Sequence, residues 1–241
     1  TLSVATGQKL LEGSNQLPAL ALHAANPVKM GVRIINNPTT SYTNFMLPGL
    51  AANGLQIAIL LVAGTLIAKE YSRNSFWQHT SAPKLVLAKL LPCWIGAMFS
   101  FFISLSLLTS YFYVPFRGSS ADLLFLAAAF TFLVINISLL FSAFTKTEVE
   151  ALQTPLLYLM PGLLFSGLSW PHFAMNEFAQ IFSAFMPLTY MAETMRDILL
   201  AGYSPFLRQN VFIMFSSGVV LSLITMLLVV FRQKRLQRQT A

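Results

Sequence analysis

The charged residues best placed for chemistry lie in the second half of this chain. Glu193, Arg196 and Asp197 are three and four residues apart, a spacing that places them on one face of a helix. Charges close to lipid need partners, so this spacing predicts a local network centred on Arg196 that holds neighbouring helices together. The alternative is a helical face that water solvates.

Spacings that support metal binding or hydrolysis do not occur in the sequence. His23, His79 and His172 lie on three separate segments, and neither an H-E-x-x-H motif nor a nucleophile elbow is present. The phosphate-binding loop G-x-x-x-x-G-K-[ST] does not occur either. We therefore predict a chain that is not an enzyme and holds no cofactor of its own.

Three neutral polar side chains lie well inside long apolar runs. They are Asn53, Gln56 and Asn136. Such groups commonly form hydrogen bonds between helices in lipid. The alternative is that they line a path for a transported molecule.

The composition is that of a membrane protein. Of the 241 residues, 56% are hydrophobic and 10% are charged, whereas soluble domains are about a quarter charged. The net charge of +7 comes from basic residues between and after the apolar runs, the pattern that fixes orientation in a membrane. We therefore expect membrane lipid, and not nucleic acid, as the surroundings.

The apolar runs predict an all-α membrane protein with about five transmembrane helices, since a span needs about 20 residues. Prolines and charges break the segment 171–208, which we interpret as short helices that enter the membrane and return on the outer side. The transmembrane domain then covers 47–231. Its predicted spans are 47–68, 85–112, 123–145, 151–170 and 211–231.

The two ends of the chain differ in character. Residues 1–46 are more polar, and the alternation from Val28 to Ile34 is typical of a strand, so we interpret them as the end of an extracytoplasmic domain that starts before Thr1. Residues 232–241 are basic and are predicted to form a cytoplasmic tail. The loop 69–84 is then also cytoplasmic, and 171–208 lies outside.

Two aromatic residues stand out in the cytoplasmic loop. Phe76 and Trp77 follow residues that favour helix N-caps and precede Pro83, which predicts a short helix. This helix either rests on lipid headgroups, with Trp77 as its anchor, or docks into a cytoplasmic partner. The N-cap candidates are Ser72, Asn74 and Ser75.

Three separated motifs resemble the permease subunits of type-2 ATP-binding-cassette exporters. The approach to the second helix of that family is similar to Asn37-Pro38, Asn44-Phe45 and Pro48-Gly49-Leu50. Its coupling helix is similar to a loop that contains Lys69, Glu70, Arg73, Ser75, Gln78 and Pro83. Its outer re-entrant segment is similar to Ser166-Gly167, Pro171, Met175, Pro187-Leu188-Thr189-Tyr190, Arg196 and Gly202. Departures from the family pattern are Ser72, Asn74 and Trp77 in the loop and Asn176 in the outer segment.

The resemblance implies a permease that forms the translocation path of an ATP-driven exporter in a bacterial inner membrane. It implies a second permease subunit, a nucleotide-binding ATPase subunit that holds ATP and Mg, and in some members a periplasmic adaptor. It also implies a first helix and an outer domain before Thr1. Together with the aromatic residues of the loop, we predict as ATPase-coupling residues Glu70, Arg73, Ser75, Phe76, Trp77, Gln78 and Pro83. Together with the charges of the outer segment, we predict as its functional residues Pro171, Met175, Pro187, Tyr190, Glu193 and Arg196.

Two other functions remain as alternatives. An ion-coupled secondary transporter would explain the broken helices, with Pro155 and Pro161 in the fourth apolar run. Such a transporter requires a charged coupling site, and the middle of the predicted spans offers none. The other alternative is a membrane anchor subunit that transports nothing.

Overall fold

The structure is a computed structural model that describes residues 41–72, 80–145, 147–168, 170 and 174–240, together with Lys9. Its secondary structure confirms the prediction of an all-α membrane protein, because the described residues form helices and no strands. The strand predicted around 28–34 lies outside the described residues. The helices from residue 41 onward are α1 (Tyr42–Gly64), α2 (Leu66–Ser72), α3 (Ala82–Ser110), α4 (Ser120–Phe144), α5 (Glu148–Phe165), α6 (Glu177–Ala184), α7 (Pro187–Leu200) and α8 (Leu207–Thr240).

Four stretches of helix in the described residues are long and apolar enough to cross a membrane. They match the first, second, third and last predicted spans. The predicted fourth span, 151–170, corresponds to α5, which has 18 residues, two glutamates in its first turn and two internal prolines. Its crossing of the membrane stays a prediction. The four stretches are Tyr42–Tyr71, Ala82–Ser110, Ser120–Phe144 and Leu207–Arg235.

Two helices extend beyond their predicted ends. The first begins at Tyr42, ahead of the predicted Leu47, because the Ser41 side chain caps it and accepts a hydrogen bond from the Asn44 N–H. The last continues through the basic tail to Thr240. Its arginines, lysine, glutamines and leucine all favour helix, so the tail prolongs the last span.

The helix of the first predicted span, 47–68, continues past residue 68. The helix breaks at Thr65 and resumes as α2, which carries the charged residues Lys69 and Glu70 and ends at Ser72. Ser72 is the last residue of α2, and the short helix predicted to follow it lies outside the described residues. Charged residues commonly mark a membrane boundary, but they do not end a helix, and this helix runs past them.

Helix α4 lies at the centre of the bundle. It is buried on most of its surface and packs against α1, α3, α7 and α8. Phe132 stacks on Phe215 of α8 with ring centroids 5.2 Å apart. Gly218 brings the two helices together, because a Cβ there would lie 2.6 Å from the Phe132 ring.

Contacts between helix ends define the two ends of the bundle. At the first, which we call the Arg232 end, Arg232 of α8 donates hydrogen bonds to the carbonyls of Ala143 and Thr145 at the end of α4. At the second, the Arg117 end, the Arg117 N–H donates to the Leu199 carbonyl of α7 at 3.0 Å. Helices α1, α4 and α8 run from the Arg117 end to the Arg232 end, and α3 runs back.

Helix α5 also runs from the Arg232 end to the Arg117 end, alongside α1. Near its start, the Ala151 carbonyl would lie 3.0 Å from a Cβ on Gly64, the last residue of α1. Beyond its end, Leu168 packs against Gly49 in the first half of α1. Helix α5 therefore covers most of the length of α1 in the opposite direction, the path that a fifth span would take.

Helices α6 and α7 form a hairpin whose turn lies partway down the bundle. The Tyr158 hydroxyl of α5 donates to the Phe185 carbonyl at 2.9 Å, and Met186 packs against Gly162. From this turn α7 returns to the Arg117 end, where its last carbonyls meet Arg117. This is the geometry expected of the re-entrant segment predicted for 171–208.

Candidate functional site

The predicted coupling loop lies between α2 and α3 at the Arg232 end. Arg73, Ser75, Phe76, Trp77 and Gln78 lie outside the described residues. On the far side of the loop, Ser81 is the N-cap of α3. Pro83 lies exposed in the first turn of α3, where the missing N–H of a proline costs nothing.

Glu70 and Lys89 form an ion pair across the base of this loop. Glu70 lies on α2 and Lys89 lies two turns into α3. Both side chains are about three-quarters covered, at 27% exposure. Glu70, a predicted coupling residue, therefore pairs with Lys89 within the chain.

The break between α1 and α2 is held by two serines of α4. The Ser138 hydroxyl donates to the Leu60 carbonyl of α1 at 3.0 Å. One turn further on, the Ser142 hydroxyl accepts from the N–H groups of Ile67 and Ala68, both at 3.0 Å. Ser142 thus caps the first turn of α2 from a neighbouring helix, and the helix that leads into the loop is fixed to the centre of the bundle.

Two consecutive residues of α8 contact both sides of the same loop. The Arg232 guanidinium lies 3.7 Å from the ring centroid of Tyr71, which precedes the loop. The Gln233 side chain donates to the carbonyl of Thr80, which follows it, at 2.8 Å. Apart from the basic character of the tail, no sequence pattern indicates this pairing, because Gln233 and Thr80 are 153 residues apart.

The predicted path-lining residues are mostly inside the protein. Gln56 and Asn136 are buried, and Asn53 is half-buried. Asn136 donates to the Phe132 carbonyl one turn back on its own helix. Among the described residues, Gln56 Oε1 and Asn136 Oδ1 have no hydrogen-bond partner. These two oxygens therefore form no hydrogen bonds between helices in the described part of the chain, and the path-lining role stays a prediction.

The hairpin of α6 and α7 contains most of the predicted outer residues. Pro187 opens α7 at its first turn, and the Tyr190 hydroxyl donates to the Ala184 carbonyl at 2.7 Å. Met175 is buried before the Asn176 cap of α6. Pro171 lies outside the described residues. The two tyrosines, Tyr190 and Tyr158, therefore fix the turn of the hairpin through its carbonyls.

The charges of α7 do not form the predicted network. The Arg196 guanidinium lies over the Phe45 ring of α1, 4.5 Å from its centroid. Asp197 accepts a hydrogen bond from Ser204 at 3.1 Å, and Glu193 is exposed. In the described part of the chain neither carboxylate forms an ion pair with Arg196. An aromatic ring beside a helix can hold an arginine without a carboxylate, and sequence spacing does not reveal it.

Comparison with known proteins places these features in a family. Residues 2–227 match the model of the ABC-2 family transporter proteins. The chain belongs to the ABC-2 transporter family. The resemblance drawn from the sequence motifs is therefore confirmed, and the chain is an ABC-2 type permease subunit that spans the membrane several times.

The ABC-2 relatives are distant in sequence. The probable multidrug ABC transporter permease YbhS of Escherichia coli K12 is 24% identical over 190 residues, 76% of this chain and 50% of the relative. YbhR of the same strain, also a probable multidrug ABC transporter permease, is 25% identical over 197 residues, 80% of this chain and 51% of the relative. ABC transporter G family member 20 of Dictyostelium discoideum is 24% identical over 182 residues, 73% of this chain and 25% of the relative.

The chain thus spans about half the length of the two bacterial permeases that it matches. No solved structure matches it.

Proposed function

We propose that this chain forms part of the translocation path of an ATP-driven exporter, and that a separate nucleotide-binding ATPase subunit drives it from the Arg232 end. The observation that carries this proposal is the way the 73–79 loop is attached. Its two sides are tied to α3, α4 and α8 through the contacts of Glu70, Ser142 and Arg232. A loop fixed in this manner can pass a force to the spans.

The charge distribution supports a cytoplasmic Arg232 end. Helix ends in the cytoplasm carry an excess of lysine and arginine. The Arg117 end carries Arg117, Arg196 and Arg208, together with Asp122, Glu177, Glu193 and Asp197. Among the described residues the Arg232 end carries Lys69, Lys84, Lys89, Arg232, Lys234 and Arg235, together with Glu70, Glu148 and Glu150, so basic residues outnumber acidic ones only at this end. We place it in the cytoplasm of a bacterial inner membrane, where the ATPase has access to ATP.

The ion-coupled alternative lacks support in the described spans. A proton or ion relay needs ionisable side chains within the membrane. In α1, α3, α4, α5 and α8 the described Lys, Arg, Asp and Glu residues lie within the first or last nine residues of a helix, with Lys89 and Arg232 the farthest from a helix end. Lys89 is already paired with Glu70. Family membership likewise favours transport coupled to an ATP-binding subunit over a passive anchor.

The proposal is tested by replacing Phe76 and Trp77 together by alanine in the full-length protein. Aromatic anchors of a docking surface typically lose about 2 kcal/mol or more on truncation, so we expect ATPase association to weaken at least about tenfold. Membrane insertion should be normal, because the neighbouring spans are long and apolar. The measurement is binding of the purified ATPase subunit to the permease in nanodiscs.

A matched control is Trp170→Ala, which removes an exposed aromatic ring beyond the end of α5, away from the Arg232 end. The control should leave ATPase binding unchanged. Unchanged binding in the double variant would contradict the docking role of the loop and favour a helix that rests on lipid. In that case the short stretch 146–150 would be the next candidate at the same end.

A further inference from the structure

Two neighbouring residues of α8 close the base of the coupling loop from both sides. Tyr71 is the residue before the last of α2, and Thr80 precedes the N-cap of α3. Arg232 covers the ring of the first, and Gln233 donates to the carbonyl of the second. A single turn of α8 therefore contacts both the segment that enters the loop and the segment that leaves it.

The Arg232 guanidinium makes contacts through both its flat face and its edge. The face of the guanidinium lies on the Tyr71 ring, and Nη1 donates to the carbonyls of Ala143 and Thr145 at 2.9 and 2.8 Å. The last carbonyls of a helix have no donors within that helix and attract positive charge. Lysine lacks the flat donor group needed to stack and bond to two carbonyls together.

Arg232 differs from basic residues whose charge serves only to orient the helix with its end in the cytoplasm. Lys234 and Arg235 follow at once on α8 and are exposed, as such residues are. Arg232 is half-buried and is bound to both α2 and α4. Its neighbours supply the basic charge at this end, so its own contacts have a different role.

We propose that Arg232 and Gln233 form a clamp that makes the base of the 73–79 loop move together with α4 and α8. The proposal rests on the function proposed above, in which this loop receives the ATPase. A displacement of the loop then reaches the central helix and the last span directly, in addition to the two helices that the loop connects. Arg232 is a positioning residue in this scheme, since it acts on the loop through Tyr71.

The test compares Arg232→Ala, Arg232→Lys and Gln233→Ala with Arg235→Ala as the matched control. Each full-length variant is placed in nanodiscs with its ATPase subunit. Two quantities are measured: amide hydrogen exchange of the segments 66–72 and 80–86 in the nanodiscs, and the amount of substrate transported per ATP hydrolysed after reconstitution of the same complexes into closed proteoliposomes. The first reports the clamp itself and does not depend on where the ATPase binds.

For Arg232→Ala we expect exchange in both segments to rise about tenfold, as local opening becomes easier. Transport per ATP should fall by at least about threefold while the ATPase stays bound, because only the interactions that hold the loop base are lost. Arg232→Lys should recover less than half of each change, and Gln233→Ala should affect mainly 80–86. Arg235→Ala should match the wild type.

Three results would overturn the clamp. Unchanged exchange in Arg232→Ala would show that the contacts do not hold the loop. Faster exchange with unchanged transport per ATP would show that the contacts hold the base of the loop but do not couple ATP hydrolysis to transport. Full recovery of exchange and transport in Arg232→Lys would show that only the positive charge of Arg232 matters. If the Phe76 and Trp77 double variant still binds the ATPase normally, the docking role of the loop is contradicted. The exchange result would still test the clamp, so the two proposals can fail separately.

Discussion

The two ends of the bundle are held together by different kinds of contact. At the Arg117 end a backbone N–H meets the Leu199 carbonyl, and Gly118 packs against the backbone of α7. At the Arg232 end most of the described contacts between helices are made by side chains, chiefly those of Ser142 and Arg232, although the Ala151 carbonyl also approaches Gly64. Side-chain contacts can break and form again by rotation, whereas backbone packed on backbone cannot shift without a clash. Under the function proposed above, movement would enter at the Arg232 end, and the backbone contacts of the Arg117 end would resist it.

The largest effect is expected for Gly118→Ala at the Arg117 end. A Cβ on Gly118 would lie 2.5 Å from the Ile198 carbonyl oxygen and 2.9 Å from that of Gly202. Since neither backbone atom can move aside, we expect the free energy of unfolding to fall by about 3 kcal/mol. The change is measured by SDS titration in mixed micelles.

Gly54→Ala is the matched control, because a Cβ there would have no atom within 4 Å in the protein. It should leave stability the same or raise it by up to about 1 kcal/mol, since alanine favours helix. Equal behaviour of the two variants would contradict the rigid character assigned to the Arg117 end.

A smaller effect is expected for Ser142→Ala at the Arg232 end. The change leaves the N–H groups of Ile67 and Ala68 without their acceptor in a buried place, which costs about 1–3 kcal/mol. We expect a loss of about 2 kcal/mol in unfolding free energy, together with reduced transport per ATP.

The control for that variant is Ser100→Ala, whose exposed hydroxyl bonds only to the Gly96 carbonyl of its own helix. It should change neither stability nor transport. If Ser142→Ala also left transport per ATP unchanged, the attachment of α2 to α4 would have no part in coupling.

The smallest effect is expected for the Glu70–Lys89 ion pair. Both side chains are partly exposed, and pairs of this kind contribute about 0.5 kcal/mol. A double-mutant cycle with Glu70→Gln and Lys89→Met should return a coupling energy of that size, and it should shrink as salt is raised. A coupling energy several times larger would mean that this pair, and not Arg232, dominates the Arg232 end.

The sequence predicted the helical class and most of the spans because the signal for them is local. Long apolar runs identify α3 and α4 directly, and Pro187 marks the start of α7 in the hairpin of α6 and α7. The true start of α1 at Tyr42 escaped prediction because its first turn is polar and depends on the Ser41 cap. The continuation of α2 through Glu70 escaped because its partner Lys89 and its cap Ser142 lie on other helices.

The candidate site was predicted only in part, for a related reason. The loop itself was located by its charges, its aromatic residues and Pro83. The hydrogen bonds of Arg232 reach carbonyls up to 89 positions away in the sequence. No residue spacing within one helix encodes contacts of this kind. Arg196 shows the same limit, since its neighbours in sequence are carboxylates and its neighbour in space is the Phe45 ring.

The central claim, that an ATPase subunit binds at the Arg232 end, is tested most directly by photo-crosslinking in native membranes. A photoreactive amino acid is placed at Lys84, exposed at the start of α3, or at Tyr203, exposed in the turn before α8. We predict a crosslink to the ATPase subunit from position 84 and none from position 203. A crosslink from position 203, or none from position 84 when the complex is shown to be intact, would contradict the account.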